Sequence, residues 1–375
     1  MRSSRHKLNR LNVLIRRLKL TNFRKFEKVE FDLDSDLVVI HGDNAVGKST
    51  ILEALHFITN HHSPFTSELQ HLYRNTITDD VYFRIEADIV KDGDTRTYAL
   101  FQNGGSKQYI IDGHRTTKKK FRELVASTIF SPEQIEQLMI SPQQRRDFLN
   151  SLILKVDPDY EELLSKFNRV LKQRNSYVKR LAKHFYETGE VMSDDRQLRY
   201  WSELLSKFSA NVMSARINYI EQMFDDDFRM EYRPSLQLEG FESLADLGSL
   251  QGNHFNAMME RVRRDIAVGH TTIGAHRDDW GIDAGKDIRS EGSRGEKRLA
   301  IGRIIFRSQE IYNEKNGFYP LLMLDDISSE LDDRNTTSIL DKDLISKQQT
   351  IITTIKLHDL PQEVLDNAKV IELKA

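Results

Sequence analysis

Gly42-Asp43-Asn44-Ala45-Val46-Gly47-Lys48-Ser49-Thr50 is the stretch whose reading decides the fold. It has the glycine, glycine-lysine-serine spacing of a phosphate-binding loop. An apolar run, Leu37–Ile40, precedes it, and a helical pattern from Ile51 to Thr59 follows. That is the strand–loop–helix setting the motif requires. Gly42 and Gly47 let the backbone turn tightly, so successive amides face an anion. The helix start adds unpaired N–H groups and the positive end of its dipole. In such a loop Lys48 reaches the β- and γ-phosphates of ATP and the Ser49 hydroxyl ligates Mg²⁺. Nucleotide binding along Gly42 to Thr50 is therefore the expectation, against the plainer reading of a glycine turn.

Working outward, Leu321–Asp326 reads as an apolar strand ending in two carboxylates. Asp325 is placed to hold the Mg²⁺ shell, and Asp326 to polarise an attacking water. Ser328-Ser329-Glu330-Leu331-Asp332 follows directly. Upstream, Ser293-Arg294-Gly295-Glu296-Lys297-Arg298 stands just before a helix. A serine hydroxyl, a glycine backbone and a helix N-terminus make a second anion cradle. Each piece alone is weak. Their order (phosphate loop, long insertion, Ser-x-Gly before a helix, strand with Asp-Asp) is the layout of an ABC-type ATPase. The fold class expected is α/β, an ABC-type P-loop head of mixed plus antiparallel sheet with an inserted helical arm.

The 375 residues carry 55 Lys and Arg against 57 Asp and Glu, a net charge of −2. A globally basic nucleic-acid binder is not indicated, although a local basic face is compatible. With no cysteine, disulfides and Cys-ligated metals are excluded, and a reducing cytoplasm fits. The opening Met1 to Arg10 is basic without an apolar core, so it reads as a solvated tail and not a signal peptide. No apolar run approaches the roughly 18 residues of a membrane span.

Residues 13–130 and 270–375 are assigned to the head, 131–269 to a helical lobe, and 1–12 to the tail. Tyr82–Val90, Thr97–Gln102 and Gln108–Ile111, separated by turns, read as an antiparallel meander. Ser131-Pro132 and Ser141-Pro142 each read as a helix start, serine as N-cap and proline at the first helical position. Two long helices, Asp157–Glu187 and Asp194–Phe224, form a hairpin that buries a stripe through Leu163, Phe167, Val170 and Val178. Lys166, Arg169, Lys172, Arg174, Lys179, Arg180 and Lys183 lie along it. A solvated face is the preferred reading, and a surface tracking DNA phosphates the alternative. Tyr232–Leu238 reads as a strand and Phe255–Val268 as a helix. Arg145-Arg146 and His276-Arg277-Asp278-Asp279 read as structural, Gln134 as a surface residue, and His61-His62 as loop rather than metal ligands.

The chain resembles the RecF family of recombination and gap-repair ATPases, related to SMC and Rad50 heads. Residues 18–31, the stretch Gly42–Leu55, residues 131–150, Gly274–Trp280, the Ser293 segment and Leu321–Asp332 carry the likeness. Departures are Ser49-Thr50 for Thr-Asn, Glu296 for the usual Gln, Ala275 for Pro, and Thr353-Thr354 where a switch histidine is common. The resemblance implies a site split between two subunits. Lys48, Ser49, Asp325 and Asp326 of one would hold ATP-Mg²⁺, and Ser293 and Gly295 of the other would close over the γ-phosphate. It further implies an ATP-dependent homodimer on duplex or gapped DNA, slow DNA-stimulated hydrolysis, and RecR/RecO-type recombinase loaders as partners. The implied setting is DNA repair, recombination, replication and the SOS response to DNA damage in the cytoplasm, with no membrane. The rival readings are an SMC-like structural tether and a nuclease-associated ATPase.

Overall fold

Period-two alternation builds the first sheet. β1 (Val13–Phe23) buries Val13 and Ile15, then Leu18 and Leu20. The change of parity falls at a bulge between Ile15 and Arg17 in its pairing with the fourth strand. β2 (Phe26–Asp32) pairs with β1 and is half exposed. The computed structural model that supplies this architecture describes residues 13–66, 68–74, 81–122, 126–190, 195–223, 228–235, 247–326 and 345–374. β3 (Leu37–His41) and α1 (Lys48–Asn60) flank the phosphate loop. The expected three-strand meander is β4 (Tyr82–Lys91), β5 (Asp94–Asn103) and β6 (Ser106–Ile111), and a fourth strand, β7 (His114–Thr116), extends it. These strands form one antiparallel sheet in the order β2-β1-β4-β5-β6-β7. Its polar face is laced by cross-strand ion pairs, Arg17 with Asp88 and Lys19 with Glu86.

A short α2 (Lys118–Arg122) leads to β8 (Ser127–Phe130), followed by α3 (Pro132–Ile140) and α4 (Pro142–Val156). Both Ser-Pro starts are realised. Ser131 Oγ accepts from Gln134 N at 3.2 Å, and Ser141 Oγ from Gln144 N at 3.3 Å. The hairpin is α5 (Tyr160–Thr188) and α6 (Arg196–Glu221). After it come β9 (Arg229–Arg233), α7 (Leu247–Glu260), α8 (Val262–Val268), β10 (Asp279–Asp283), α9 (Ile288–Glu291) and α10 (Arg294–Asn316). The single helix expected over Phe255–Val268 is two, because Arg261 leaves helical geometry at φ −96° and ψ 6°. The strand expected over Tyr232–Leu238 ends at Arg233, and residues 236–238 lie outside those described.

β11 (Leu321–Leu324), β12 (Thr350–Thr354), α11 (Gln362–Asn367) and β13 (Lys369–Glu372) complete the chain. β13-β3-β12-β11-β8 is a five-stranded parallel sheet. β3, β8, β11 and β12 are almost wholly buried, as a parallel sheet covered on both faces requires. α1 contacts β1 and β4 of one sheet and β8 and β12 of the other, and is buried from Ile51 to Thr59. Gln349, directly before β12, ties the two sheets. Its Oε1 accepts from Ile15 N at 2.7 Å, and its Nε2 donates to Ile15 O and Leu33 O at 2.8 and 2.9 Å.

The described chain divides into two compact units, residues 1–136 with 301–375, and residues 137–300. The changeovers fall inside α3 and α10. The Ser293–Gly295 segment is thereby counted with the second unit. In that unit Val178, Leu181, Ala182, Leu198, Val262 and Ile266 form the hairpin's core. Arg174 does not belong to the exposed basic face. It is fully buried, donating to Asp265 at 2.8 Å, Thr271 at 2.7 Å and Ser202 at 2.9 Å. Removing one member of such a buried pair costs about 3–5 kcal/mol.

Candidate functional site

Parallel strands bring their C-terminal ends to one edge of a sheet, and ligands gather there. At the end of β3, Gly42 has φ 155°, and a Cβ there would lie 2.4 Å from Leu373 O. Gly47 has φ 112°, and its Cβ would meet Phe26 Cζ at 2.6 Å. Ala45 is also left-handed at φ 63°, its carbonyl held by Lys25 Nζ at 2.8 Å. Lys48, only 8% exposed, donates to Gly42 O at 2.6 Å and Asp43 O at 2.9 Å. The first helical bond of α1 is Ile51 N to Gly47 O. The amides of Lys48, Ser49 and Thr50 are therefore the helix's unpaired donors. No acidic side chain sits in that first turn to compete for them. The residues fit a polyphosphate: a tight loop whose two glycines have no room for a Cβ against Leu373 and Phe26, free amides, and a lysine held in place by backbone carbonyls.

The ends of the parallel strands bring Ser49, Asp325 and Thr353 together. β12 separates β3 from β11, so the Thr353 side chain stands between the loop after β3 and the end of β11. Ser49 Oγ donates to Asp325 Oδ1 at 3.2 Å, and Thr353 Oγ1 donates to the same oxygen at 2.5 Å. Thr353 Oγ1 in turn accepts from Asp326 N at 3.0 Å, holding Asp326 at φ 45°. Burial pushes the Asp325 carboxyl above its ordinary value. The Thr353 and Ser49 hydroxyls oppose that shift, the Asp326 charge adds to it, and Lys48 opposes it. A buried carboxylate beside a hydroxyl suits a hard divalent cation such as Mg²⁺. Of the pair Thr353-Thr354, which stands where a switch histidine is common, Thr353 is the one that enters the site. The Thr354 hydroxyl instead donates to Lys356 O at 3.0 Å.

Two further supports emerge from the Asn-Phe-Arg turn, where Asn22 and Arg24 both have φ 53°. Arg24 grips the buried Glu53 of α1 with two bonds of 2.7 and 2.6 Å. Phe26 and Lys25 close on Gly47 and Ala45, as above. This pairing is not written locally, since the partner of Arg24 lies 29 residues away.

Ser293 and Gly295 stand at the start of α10 in the second unit. Ser293 Oγ accepts from Glu296 N at 3.3 Å, and Glu296 Oε2 accepts from Ser293 N at 2.7 Å. This is a reciprocal capping box. Lys286 Nζ lies 2.7 Å from Glu296 Oε1. Lys286 and the Ser293 bonds draw the Glu296 carboxyl down to about 2. Ser328 to Asp332 lies outside the described residues, as does the basic tail.

The remaining motifs are structural. Arg145, buried, grips Asp279 with bonds of 2.6 and 2.7 Å, and Arg146 donates to Asp278 O at 2.9 Å. Asp278 accepts from Tyr232 Oη and Ser235 N at 2.5 and 2.7 Å. Burial takes His276 down to about 4, so it is neutral at pH 7. His61 caps α1 at φ 66° and packs on Tyr109 and Phe121. Among the described residues no group of three acidic or histidine side chains is placed to hold a metal. Gln134 departs from its expected surface position: it is half-buried, and its Oε1 is enclosed without a hydrogen-bond partner.

Residues 14–371 match the model of the RecF/RecN/SMC N terminal domain. The chain is 30% identical to the DNA replication and repair protein RecF of Clostridium novyi over 96% of its own length and 98% of the relative's. It is 27% identical to RecF of Staphylococcus carnosus, covering 94% and 96%. Among solved structures it is similar to the recombination mediator protein RecF-ATPrS in the RecFOR pathway. The TM-score is 0.82 and the identity 25%, with 97% of both chains covered. A second, RecF-ATP in the same pathway, gives 0.76 at 25%, covering 93% and 95%.

Proposed function

The chain belongs to the RecF family, and on that premise we propose that it is an ATP-dependent DNA replication and repair protein of the RecFOR pathway. ATP binds along Gly42 to Thr50. Lys48 holds the β- and γ-phosphates, and Ser49 and Asp325 supply oxygens for Mg²⁺, which neutralises phosphate charge when bound. Asp326 orients the attacking water, and its positive φ keeps the carboxylate at the end of the strand. Ser293 and Gly295 of a second copy complete the site. Nucleotide then joins a two-fold dimer on duplex or gapped DNA, slow hydrolysis reopens it, and RecR/RecO-type loaders place recombinase on single-stranded DNA. The described residues contain no helix long and apolar enough to cross a membrane.

The observation that carries this reading is the meeting of Ser49, Asp325 and Thr353 at one oxygen, with Ser49 lying 276 residues from Asp325 in the chain. A glycine turn of no function would not bring the ends of β3, β11 and β12 together around a buried carboxylate. The test is sedimentation velocity with and without ATP. Wild type should dimerise with ATP. Ser293→Arg should bind ATP as a monomer and fail to dimerise, because the arginine displaces the capping box. ATP-driven dimers of that variant would remove the split site.

A further inference from the structure

From Leu163 through Tyr186 the chain has Lys166, Arg169, Lys172, Arg174, Lys179, Arg180 and Lys183 and not one Asp or Glu. In a chain with 57 acidic and 55 basic residues, that is a departure from its own composition. The structure sorts these cations. Arg174 is drawn inside by Asp265, and Arg180 lies over the Tyr177 ring at 4.7 Å. Lys166 and Lys183, at the two ends, pair with Glu162 and Glu187 at 2.6 and 3.7 Å. Arg169, Lys172 and Lys179 are exposed, and among the described residues no carboxylate pairs with them.

At about 100° per residue, Lys166, Arg169, Lys172, Lys179 and Lys183 fall on one side of α5, over roughly 26 Å of helix. Like charges three and four residues apart destabilise a helix, so stability does not account for the stripe. The contrast is the polar face of the antiparallel sheet, where Arg17, Lys19 and Arg84 each have a carboxylate within 3.6 Å.

We infer that the outer face of α5 is a phosphate-tracking surface for duplex DNA, with Arg169, Lys172 and Lys179 its central contacts. A rod of cations about 26 Å long spans some eight base-pair steps, and each neutralised phosphate releases counterions. The contacts expected are between the charged heads of Arg169, Lys172 and Lys179 and backbone phosphates, which position a duplex without reading its sequence. The inference rests on the proposed reading only in choosing DNA as the polyanion.

The test is a salt series of duplex-DNA binding to the full chain, with and without ATP, for wild type and Arg169→Ala/Lys172→Ala/Lys179→Ala. Each lost phosphate contact removes about 0.9 from the slope of log Kobs against log salt, so the triple variant should be shallower by about 2.7. Far-UV circular dichroism and ATP-driven sedimentation should match wild type, which separates loss of the face from loss of the fold. Arg196→Ala/Lys207→Ala/Arg263→Ala removes three exposed cations elsewhere in the same unit and should leave the slope near wild type. An unchanged slope in the α5 triple, or an equal fall in both triples, overturns the assignment. Failure of wild type to dimerise with ATP, with the α5 effect intact, would instead overturn the proposed clamp and leave this surface standing.

Discussion

The chain has two helix N-termini offered to phosphate, and they are built in opposite ways. The start of α1 is open: no acid in its first turn, three amides unpaired, and a lysine tethered by Gly42 and Asp43 carbonyls. The start of α10 is closed on itself. Glu296 occupies the Ser293 amide, and Ser293 Oγ is taken up by the Glu296 amide. The first cradle has the free amides and the lysine that a polyphosphate needs. The second already holds an anion of its own, and offers a ligand the Ser293 hydroxyl proton and whatever amides the box leaves. Nucleotide affinity should therefore reside in the α1 end, while the α10 end sets how readily a second copy engages.

The largest effect tests that division directly. Lys48→Ala should weaken ATP binding by about 3 kcal/mol or more, roughly 150-fold, since it removes charge-assisted bonds to two phosphates. Calorimetric titration of the monomer checks it. The same titration on Ser293→Arg should give the wild-type value. If the two variants lose affinity equally, the two cradles are not independent and the contrast fails.

How much of this could be read from sequence depends on how local each feature is. The loop from Gly42 to Thr50, the Ser-Pro caps and the period-two strands are written within a few residues, and each forms as read. The Ser-x-x-Glu spacing of a capping box is equally local, but in sequence the same four residues also fit an anion cradle. Both readings use the same helix end, and only the Lys286 contact shows how the carboxylate is held. Arg174 turns inward to a partner 91 residues on, which no local pattern shows. Helical spacing shows that a residue is basic, but not that an aspartate waits inside. Thr353 and Gln349 were hidden for a similar reason. Their work is to bond across neighbouring strands, and a buried polar residue at a strand end looks the same in sequence whether it closes a site or ends a ladder.

A middle-sized effect probes the shared hydroxyl. Thr353→Val keeps the shape but removes the donor to Asp325 and the acceptor for Asp326 N. Stability should fall by about 1–3 kcal/mol, the cost of leaving such groups buried and unpaired. ATP binding should persist, because Lys48 and the loop amides are untouched, while hydrolysis should drop at least tenfold as Asp326 loses its tether. Thermal melts and a phosphate-release assay separate the two. Hydrolysis at the wild-type rate would show that the α1 end positions the water without β12.

The smallest effect is the sharpest for the contrast. Glu296→Gln preserves the box, since the amide oxygen still accepts from Ser293 N, but removes the charge at the positive end of α10. ATP-driven dimerisation should tighten by roughly two- to fivefold, the range of a charge at an exposed helix end. Lys286→Ala should loosen it, because the carboxylate then faces the incoming phosphate without a counter-charge. The pH dependence follows from the sign of the shift. The Glu296 carboxyl is held down to about 2, so its interactions with Lys286 and Ser293 are in place above the ordinary carboxylate range and fade only as pH falls toward that value. Between pH 6 and 8 the ratio of wild-type to Glu296→Gln dimer constants should therefore stay flat. A ratio that converges on one as pH drops from 8 to 6 would mean the carboxylate takes up a proton there. The second cradle would then not be held closed by the ion pair that distinguishes it from the first.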